Sequence, residues 1–159
     1  MKHTLAVLVE NQPGVLSHVA GLFARRGYNI ESLAVGRTED PTVSRITLVV
    51  EGDANVIEQV SKQLNKQVEV IKVNDITNEE TVDRHLLLVR VAADTAVRQE
   101  ILQIVDIFRC RIVDIGRRSL IVEATGDDEK IEAIIKSLQP FGIQELVRTG
   151  KIAMVRSPK

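Results

Sequence analysis

The sequence predicts an α+β protein made of two consecutive copies of one module, each with the order β-α-β-β-α-β. Short runs rich in Val, Leu and Ile alternate with amphipathic helical stripes. Pro, Gly and Asp punctuate their boundaries. The second half also repeats letters of the first. Segment 52–64, GDANVIEQVSKQL, and segment 126–138, GDDEKIEAIIKSL, share Gly, Asp, Ile, Glu, Lys and Leu at matching places. Segments 3–9 (HTLAVLV) and 85–91 (HLLLVRV) share His, Leu, Val and Val. A module of this order places four antiparallel strands on one side and two helices on the other.

In the first half, residues 3–10 (HTLAVLVE) read as a buried strand. Asn11-Gln12-Pro13-Gly14 breaks it. Val15, Leu16, Val19, Leu22 and Phe23 then form a helical stripe. Arg25 and Arg26 suit its C-terminal dipole, and Gly27 can take the left-handed conformation that ends it. Residues 28–37 and 43–51 read as strands, joined by the turn residues 38–41 (TEDP). Asp53 can cap a second helix with Val56, Ile57, Val60 and Leu64 inside. Residues 68–75 return as a strand.

Residues 77–83 read as a polar linker, dividing the chain into domains 1–76 and 84–159. In the second half, residues 85–92 are an apolar strand. Val97, Ile101, Ile104, Val105 and Phe108 form a helical stripe. Residues 110–115 and 119–124 form a hairpin. Asp127 caps a helix with Ile131, Ile134, Ile135 and Leu138 inside. Pro140 and Gly142 end that helix, and residues 143–155 supply the last strand.

Composition narrows the function classes. Apolar residues make up 44% and charged residues 27%, so the chain can bury a core. Aromatic residues make up only 3%, so that core is aliphatic, and the sheet lacks the aromatic platform an RNA-binding module needs. The net charge of -1 supplies no basic field for nucleic acid or anionic lipid. One Cys excludes an internal disulfide framework. No apolar run has the ~20 residues of a membrane span, and the N-terminus lacks the pattern of a signal peptide. A cytoplasmic location is expected. Modules this small bury little, so the sheets are expected to pair in an oligomer.

The loop at residues 11–15 can carry chemistry. Pro13 suits a first helical position. Gly14 lets a ligand approach the backbone. The N–H groups of a helix start favour an anion such as a carboxylate. Asn11 offers both a donor and an acceptor, so it can receive an ammonium group. A small zwitterion fits these features. The commoner reading of such a loop is a plain helix start with a Pro-Gly turn, and the residues alone leave both open. Tyr28-Asn29-Ile30 begins what the topology makes an edge strand, and edge strands commonly join a second chain. Asn29 there can reach a ligand held by the neighbour. The matching loop of the second half, Ala92-Ala93-Asp94-Thr95, has no Gly or Pro. Its Asp94 would repel a carboxylate, so the second domain is not expected to bind the same ligand.

These residues bear a resemblance. The core Asn11-x-Pro13-Gly14-Val15-Leu16 is shared by many ACT-type amino-acid sensing domains. Its continuation Phe23-x-Arg25-Arg26-Gly27-Tyr28-Asn29-Ile30-x-Ser32-Leu33 resembles the regulatory small subunit of acetolactate synthase (acetohydroxyacid synthase). Arg84-His85-Leu86 and Phe108-Arg109 are similar to that family too. The resemblance covers essentially the whole chain. It implies two ferredoxin-like ACT-type domains and a homodimer through the N-terminal one. It implies a non-catalytic subunit that activates the catalytic large subunit and confers feedback inhibition by valine in branched-chain amino-acid biosynthesis. The effector contacts it implies are Asn11, Gly14 and Val15 of one chain with Asn29 and Ile30 of the other. Ser17 falls in the region tied to feedback sensitivity. No cofactor of its own is implied; the catalytic partner would carry thiamine diphosphate, Mg and FAD. A free-standing amino-acid sensor is the alternative, although no DNA-reading element is evident.

Other signals read as structural. His3, His18 and His85 lack metal-ligand spacing. Cys110 lies in an apolar strand, where Cys behaves as a small hydrophobe. Arg109, Arg111, Arg117 and Arg118 cluster about the second hairpin. A solvated face is the default there, with an acidic partner surface as the other reading. No nucleophile-base pair or acid-base dyad emerges.

Overall fold

The computed structural model describes residues Met1–Lys159. The chain divides into two compact units. One comprises Met1–Val82 together with Gly150–Lys159, and the other is Asp83–Thr149.

The first unit contains β1 (Lys2–Glu10), α1 (Val15–Arg26), β2 (Ile30–Arg37), β3 (Val43–Glu51), α2 (Ala54–Asn65) and β4 (Val70–Asp75). Its antiparallel sheet has the order β2-β3-β1-β4. Leu5, Val7 and Val9 alternate along β1, and Ile46, Leu48 and Val50 along β3. The two-residue strand period puts them on one face. Val15, Val19, Leu22 and Phe23 of α1 and Ile57, Val60 and Leu64 of α2 close that core. Leu16, expected in the α1 stripe, is 42% exposed, because one residue of helix rotates it away from its buried neighbour Val15.

Gly27 ends α1 at φ 69°, and the N–H groups of Gly27 and Tyr28 donate to the carbonyls of Ala24 and Phe23. Tyr28 and Asn29 precede β2 rather than open it. The Tyr28 ring stands edge-on to Phe23, 6.3 Å between centroids, and partly seals the core.

The second unit takes most of β5 (Thr81–Ala92), then α3 (Arg98–Ile107), β6 (Arg111–Ile115), β7 (Ser119–Gly126), α4 (Asp128–Leu138) and β8 (Ile143–Arg148). These strands run β6-β7-β5-β8. Leu87, Val89, Val91, Leu120 and Val122 meet Ile101, Val105, Ile131, Ile134 and Leu138 in its core. The two halves cap their second helices identically. The carboxylate of Asp53 accepts the Val56 N–H at 2.9 Å, and that of Asp127 accepts the Lys130 N–H at 2.9 Å.

Two boundaries are corrected. The run at residues 143–155 is not one strand. It breaks at Thr149-Gly150, and its second piece, β9 (Ile152–Val155), packs with the first unit. Ala153 is buried with Ala6 and Ile76. The polar stretch at 77–83 is not an open linker. The Ile76 N–H donates to the Thr4 carbonyl, and the Thr77 N–H donates to Asp75 Oδ1 at 3.0 Å. β5 then begins at Thr81. The polar letters of this stretch reflect a turn, tied both locally, by the Glu79 N–H to the Ile76 carbonyl, and to distant strands.

Candidate functional site

α1 begins without a side-chain cap. Its N-cap residue is Gly14, at φ 84°, ψ -9°. That left-handed backbone is cheap only for glycine, which is why glycine stands there. Nothing lies within 4 Å of where a Cβ would be. Pro13 lies in the turn before the cap, not at the first helical position as its fixed φ led one to expect. The Val15 side chain is 5% exposed and belongs to the core, so only its backbone faces the loop. The Val15 N–H reaches the Gln12 carbonyl at 3.4 Å, and the His18 N–H takes the Gly14 carbonyl at 3.0 Å. Between them, the N–H groups of Leu16 and Ser17 fall in the first turn, where no intrahelical carbonyl can reach them. The helix start thus presents donors with positive dipole character and nothing bulky over Gly14.

Asn11 is fixed on the opposite side of this loop. Its backbone N–H donates to the Thr42 carbonyl at 2.8 Å, and its side-chain amide donates to the Pro41 carbonyl at 3.0 Å. The carboxamide oxygen is then the acceptor Asn11 has to offer. The turn that receives Asn11 is itself stiff. Asp40 Oδ1 accepts the Thr42 N–H at 2.9 Å and the Thr42 hydroxyl at 2.7 Å. These two bonds hold the Asp40 carboxyl below its ordinary value. The Thr38 hydroxyl donates to the Val43 carbonyl at 3.0 Å.

Asn29 is exposed, and Ile30 is half-buried against the core. Asn29 immediately precedes β2 and Ile30 opens it, and the sheet order puts β2 at an edge. Within one chain, the structure brings Asn11, Gly14 and Val15 together in one loop. It leaves Asn29 and Ile30 at the head of a separate strand.

An open groove beside α1 is lined by Ser17, His18, Gly21 and Arg25, with Lys66 and Glu69 opposite. His18 Nδ1 and Glu69 Oε1 are 2.8 Å apart. The Glu69 carboxyl is held below its ordinary value, first by its own backbone N–H and then by His18.

The remaining candidates have structural partners. His3 Nδ1 lies 3.5 Å from Asp75 Oδ2, and His85 Nε2 lies 2.5 Å from Asp128 Oδ1. No three His, Cys, Asp or Glu side chains converge as metal ligands. Cys110 is half-buried, and burial pushes its thiol pKa up, away from the reactive thiolate. Arg109, Arg111, Arg117 and Arg118 are all exposed. At the matching loop of the second unit, Asp94 Oδ1 accepts the N–H groups of Ala96 at 3.0 Å and Val97 at 3.2 Å. A carboxylate of the chain itself thus holds donors that the first unit leaves open.

Two contributors escape the sequence patterns. Thr42 carries no periodic signal and acts through its backbone. Arg98 donates to the carbonyls of Ala93, Gly116 and Arg117, and so ties the second hairpin to the start of α3. Its only signal is a charged residue at a helix start, where the dipole disfavours it.

A split β-α-β sheet in each of two consecutive units defines a pair of ACT-type modules, of which only the first opens on a glycine-capped helix start. Comparison with known proteins makes this particular. Residues 5–72 match the AHAS small subunit-like ACT domain, and residues 84–157 match the family described as the small subunit of acetolactate synthase. The chain is 60% identical to the probable acetolactate synthase small subunit of Archaeoglobus fulgidus, over 100% of this chain and 99% of that one. It is 49% identical to the acetolactate synthase small subunit of Mycobacterium leprae, covering 99% of this chain and 93% of the relative. The crystal structure of the small subunit from Thermotoga maritima superposes with a TM-score of 0.93 at 44% identity, over 100% of this chain and 99% of that one. The chain belongs to the acetolactate synthase small-subunit family. Its matches are to ACT and small-subunit domains, so its place is regulatory rather than catalytic. No helix is long and apolar enough to cross a membrane.

Proposed function

We propose that this regulatory subunit binds valine at the start of α1, activates the catalytic large subunit of acetolactate synthase, and confers feedback inhibition on it. The observation that carries this reading is the uncapped helix start at Gly14, beside the fixed carboxamide of Asn11. The effector carboxylate takes the open backbone N–H groups of the first turn around Gly14 and Val15. Its ammonium meets the Asn11 carboxamide oxygen or a backbone carbonyl. The branched side chain packs near Ile30 of the partner subunit, with Asn29 of the partner subunit closing the polar end. The two subunits join through the edge strand β2. Burying the extra methyl-bearing carbons of valine favours it over alanine by ~1–2 kcal/mol.

A ligand held between two chains favours the dimer geometry that holds it best. That difference in affinity is what alters the activity of the partner. The chain itself binds no cofactor; thiamine diphosphate, Mg and FAD belong to the catalytic subunit. The protein acts in the cytoplasm, on branched-chain amino-acid biosynthesis. The unit Met1–Val82 with Gly150–Lys159 carries the effector, and the unit Asp83–Thr149 serves packing or contact with the catalytic subunit.

Calorimetric titration of the chain with valine, leucine, isoleucine, alanine and aspartate tests the site, and assay with the catalytic subunit tests activation. Valine binding lost in Gly14→Asp is the expected result. Valine binding intact in that variant, or no activation of the catalytic subunit, would overturn the reading.

A further inference from the structure

We infer that the C-terminal segment 150–153 positions the effector residues Asn29 and Ile30 by clamping a bulge in β2. The inference rests on the effector reading above. β2 is an edge strand, held in its sheet by β3 alone. Its register against β3 slips between Ile30, opposite Val50, and Ser32, opposite Val49. Glu31 is therefore the extra residue, and its carboxylate pairs with Lys2 at 2.9 Å. A bulge re-aims the side chains beside it, and β2, with no fully buried residue, specifies its register less strongly than a strand with one face in the core. A slip of one residue would turn Asn29 and Ile30 to the wrong faces.

The tail lies against this point. The Lys151 backbone N–H donates to Ser32 Oγ at 2.7 Å, directly after the bulge. Gly150 passes so close to Leu33 that a Cβ on it would overlap the Leu33 carbonyl group and amide nitrogen. Beyond that contact the tail is anchored independently. The Arg45 guanidinium donates to the Ala153 carbonyl at 2.5 Å. Ala153 is buried against Ala6 and Ile76. The Arg156 N–H donates to the Glu80 carbonyl at 2.8 Å. Segment 150–153 is thus fastened to β1, to β3 and to the turn after β4, and from there bears on β2. Within one chain it is the support that β2 has besides β3. Ser32, Gly150 and Lys151 are positioning residues: they act on the effector through Asn29 and Ile30.

The test uses the full chain as Ser32→Ala, Ser32→Thr and Gly150→Ala. Each is titrated with valine and with leucine, unfolded in urea, and followed by amide exchange over residues 29–33. Ser32→Ala and Gly150→Ala are expected to weaken valine binding by about ten-fold and to change the valine-to-leucine ratio. Faster exchange at residues 29–33 should accompany this. Ser32→Thr keeps the hydroxyl and should restore wild-type binding. A merely structural role would lower stability and leave the ratio alone. If Gly150→Ala does not fold, Ser32→Ala and Ser32→Thr decide. Wild-type affinity and ratio in Ser32→Ala would overturn the positioning role while the effector reading stands. A wild-type chain that binds no branched-chain amino acid would overturn the effector reading first, and the positioning role with it.

Discussion

The side-chain amide of Asn11 donates to the carbonyl of Pro41, 3.0 Å away, and ties the loop that opens α1 to the turn joining β2 and β3. One amide thereby fixes a candidate ligand group from outside its own loop. Asn11→Ala should cost about 0.5–1.5 kcal/mol of stability, the value of one net hydrogen bond. Its effect on valine affinity should be larger than that, because the ammonium acceptor is lost as well. Urea unfolding and calorimetry on the same preparation separate the two. Equal losses would mean that Asn11 is only a structural tie.

Gly14 allows backbone strain and ligand chemistry to be told apart. Gly14→Ala places a Cβ in open space but at φ 84°, and should cost ~1 kcal/mol from the left-handed backbone alone. Asp tolerates that backbone better than Ala, so Gly14→Asp should be the more stable variant. It should nevertheless bind no valine, since its carboxylate occupies the anion position. Denaturation midpoints that follow the opposite order would contradict this account of the helix start.

Acid should loosen the turn that receives Asn11. The Asp40 carboxyl lies below its ordinary value because the Thr42 N–H and hydroxyl donate to it. A lowered pKa contributes stability above the unfolded value, and that contribution fades as the pH falls through the folded value. The protection of the Thr42 amide, its rate relative to the intrinsic rate at each pH, should therefore fall as the pH drops below the ordinary carboxylate range. Asp40→Asn should abolish that pH dependence. Amide exchange or NMR shifts of Thr42 against pH provide the check.

Cys110 should be a slow thiol. Burial pushes its pKa up, with Lys130 only partly opposing, and the thiolate is the reactive form. Alkylation at pH 8 should run several-fold slower than for free cysteine and speed up on unfolding. Reaction as fast as free cysteine in the folded chain would show an exposed, activated sulfur instead.

Arg98 should matter more to stability than its half-buried position suggests. Its guanidinium donates to the carbonyls of Ala93 at 3.1 Å and Arg117 at 2.9 Å, and also to that of Gly116. Arg98→Ala should cost ~1–3 kcal/mol. Arg98→Lys should recover only part of that, because a point charge cannot reproduce a planar fork. Thermal or urea unfolding of both variants reads the difference.

The strand and helix plan is written in local chemistry. The alternation of Leu5, Val7 and Val9 and the stripe of Val15, Val19, Leu22 and Phe23 are consequences of strand and helix periods. The caps at Asp53 and Asp127 need only the three residues that follow them. The loop at residues 11–15 is legible for the same reason at Pro13 and Gly14, which act on their own backbone. Even so, Pro13 falls outside the helix and Leu16 falls outside the core. A residue's step around a helix start depends on where the first turn is wound.

The tertiary structure decided what joins residues far apart in the chain. Nothing in Thr42 announces that its carbonyl and its neighbour's will hold Asn11. Residues 143–155 read as one strand, because a Gly within an apolar run marks a break without saying where the next piece goes. The fold sends that piece to the first unit, where Ala153 finds Ala6 and Ile76 and Gly150 fits against Leu33. Short-range periodicity carries no information about such a destination. It is set by which distant surface leaves room for a backbone without a side chain, and by which distant donor and acceptor groups remain to be paired.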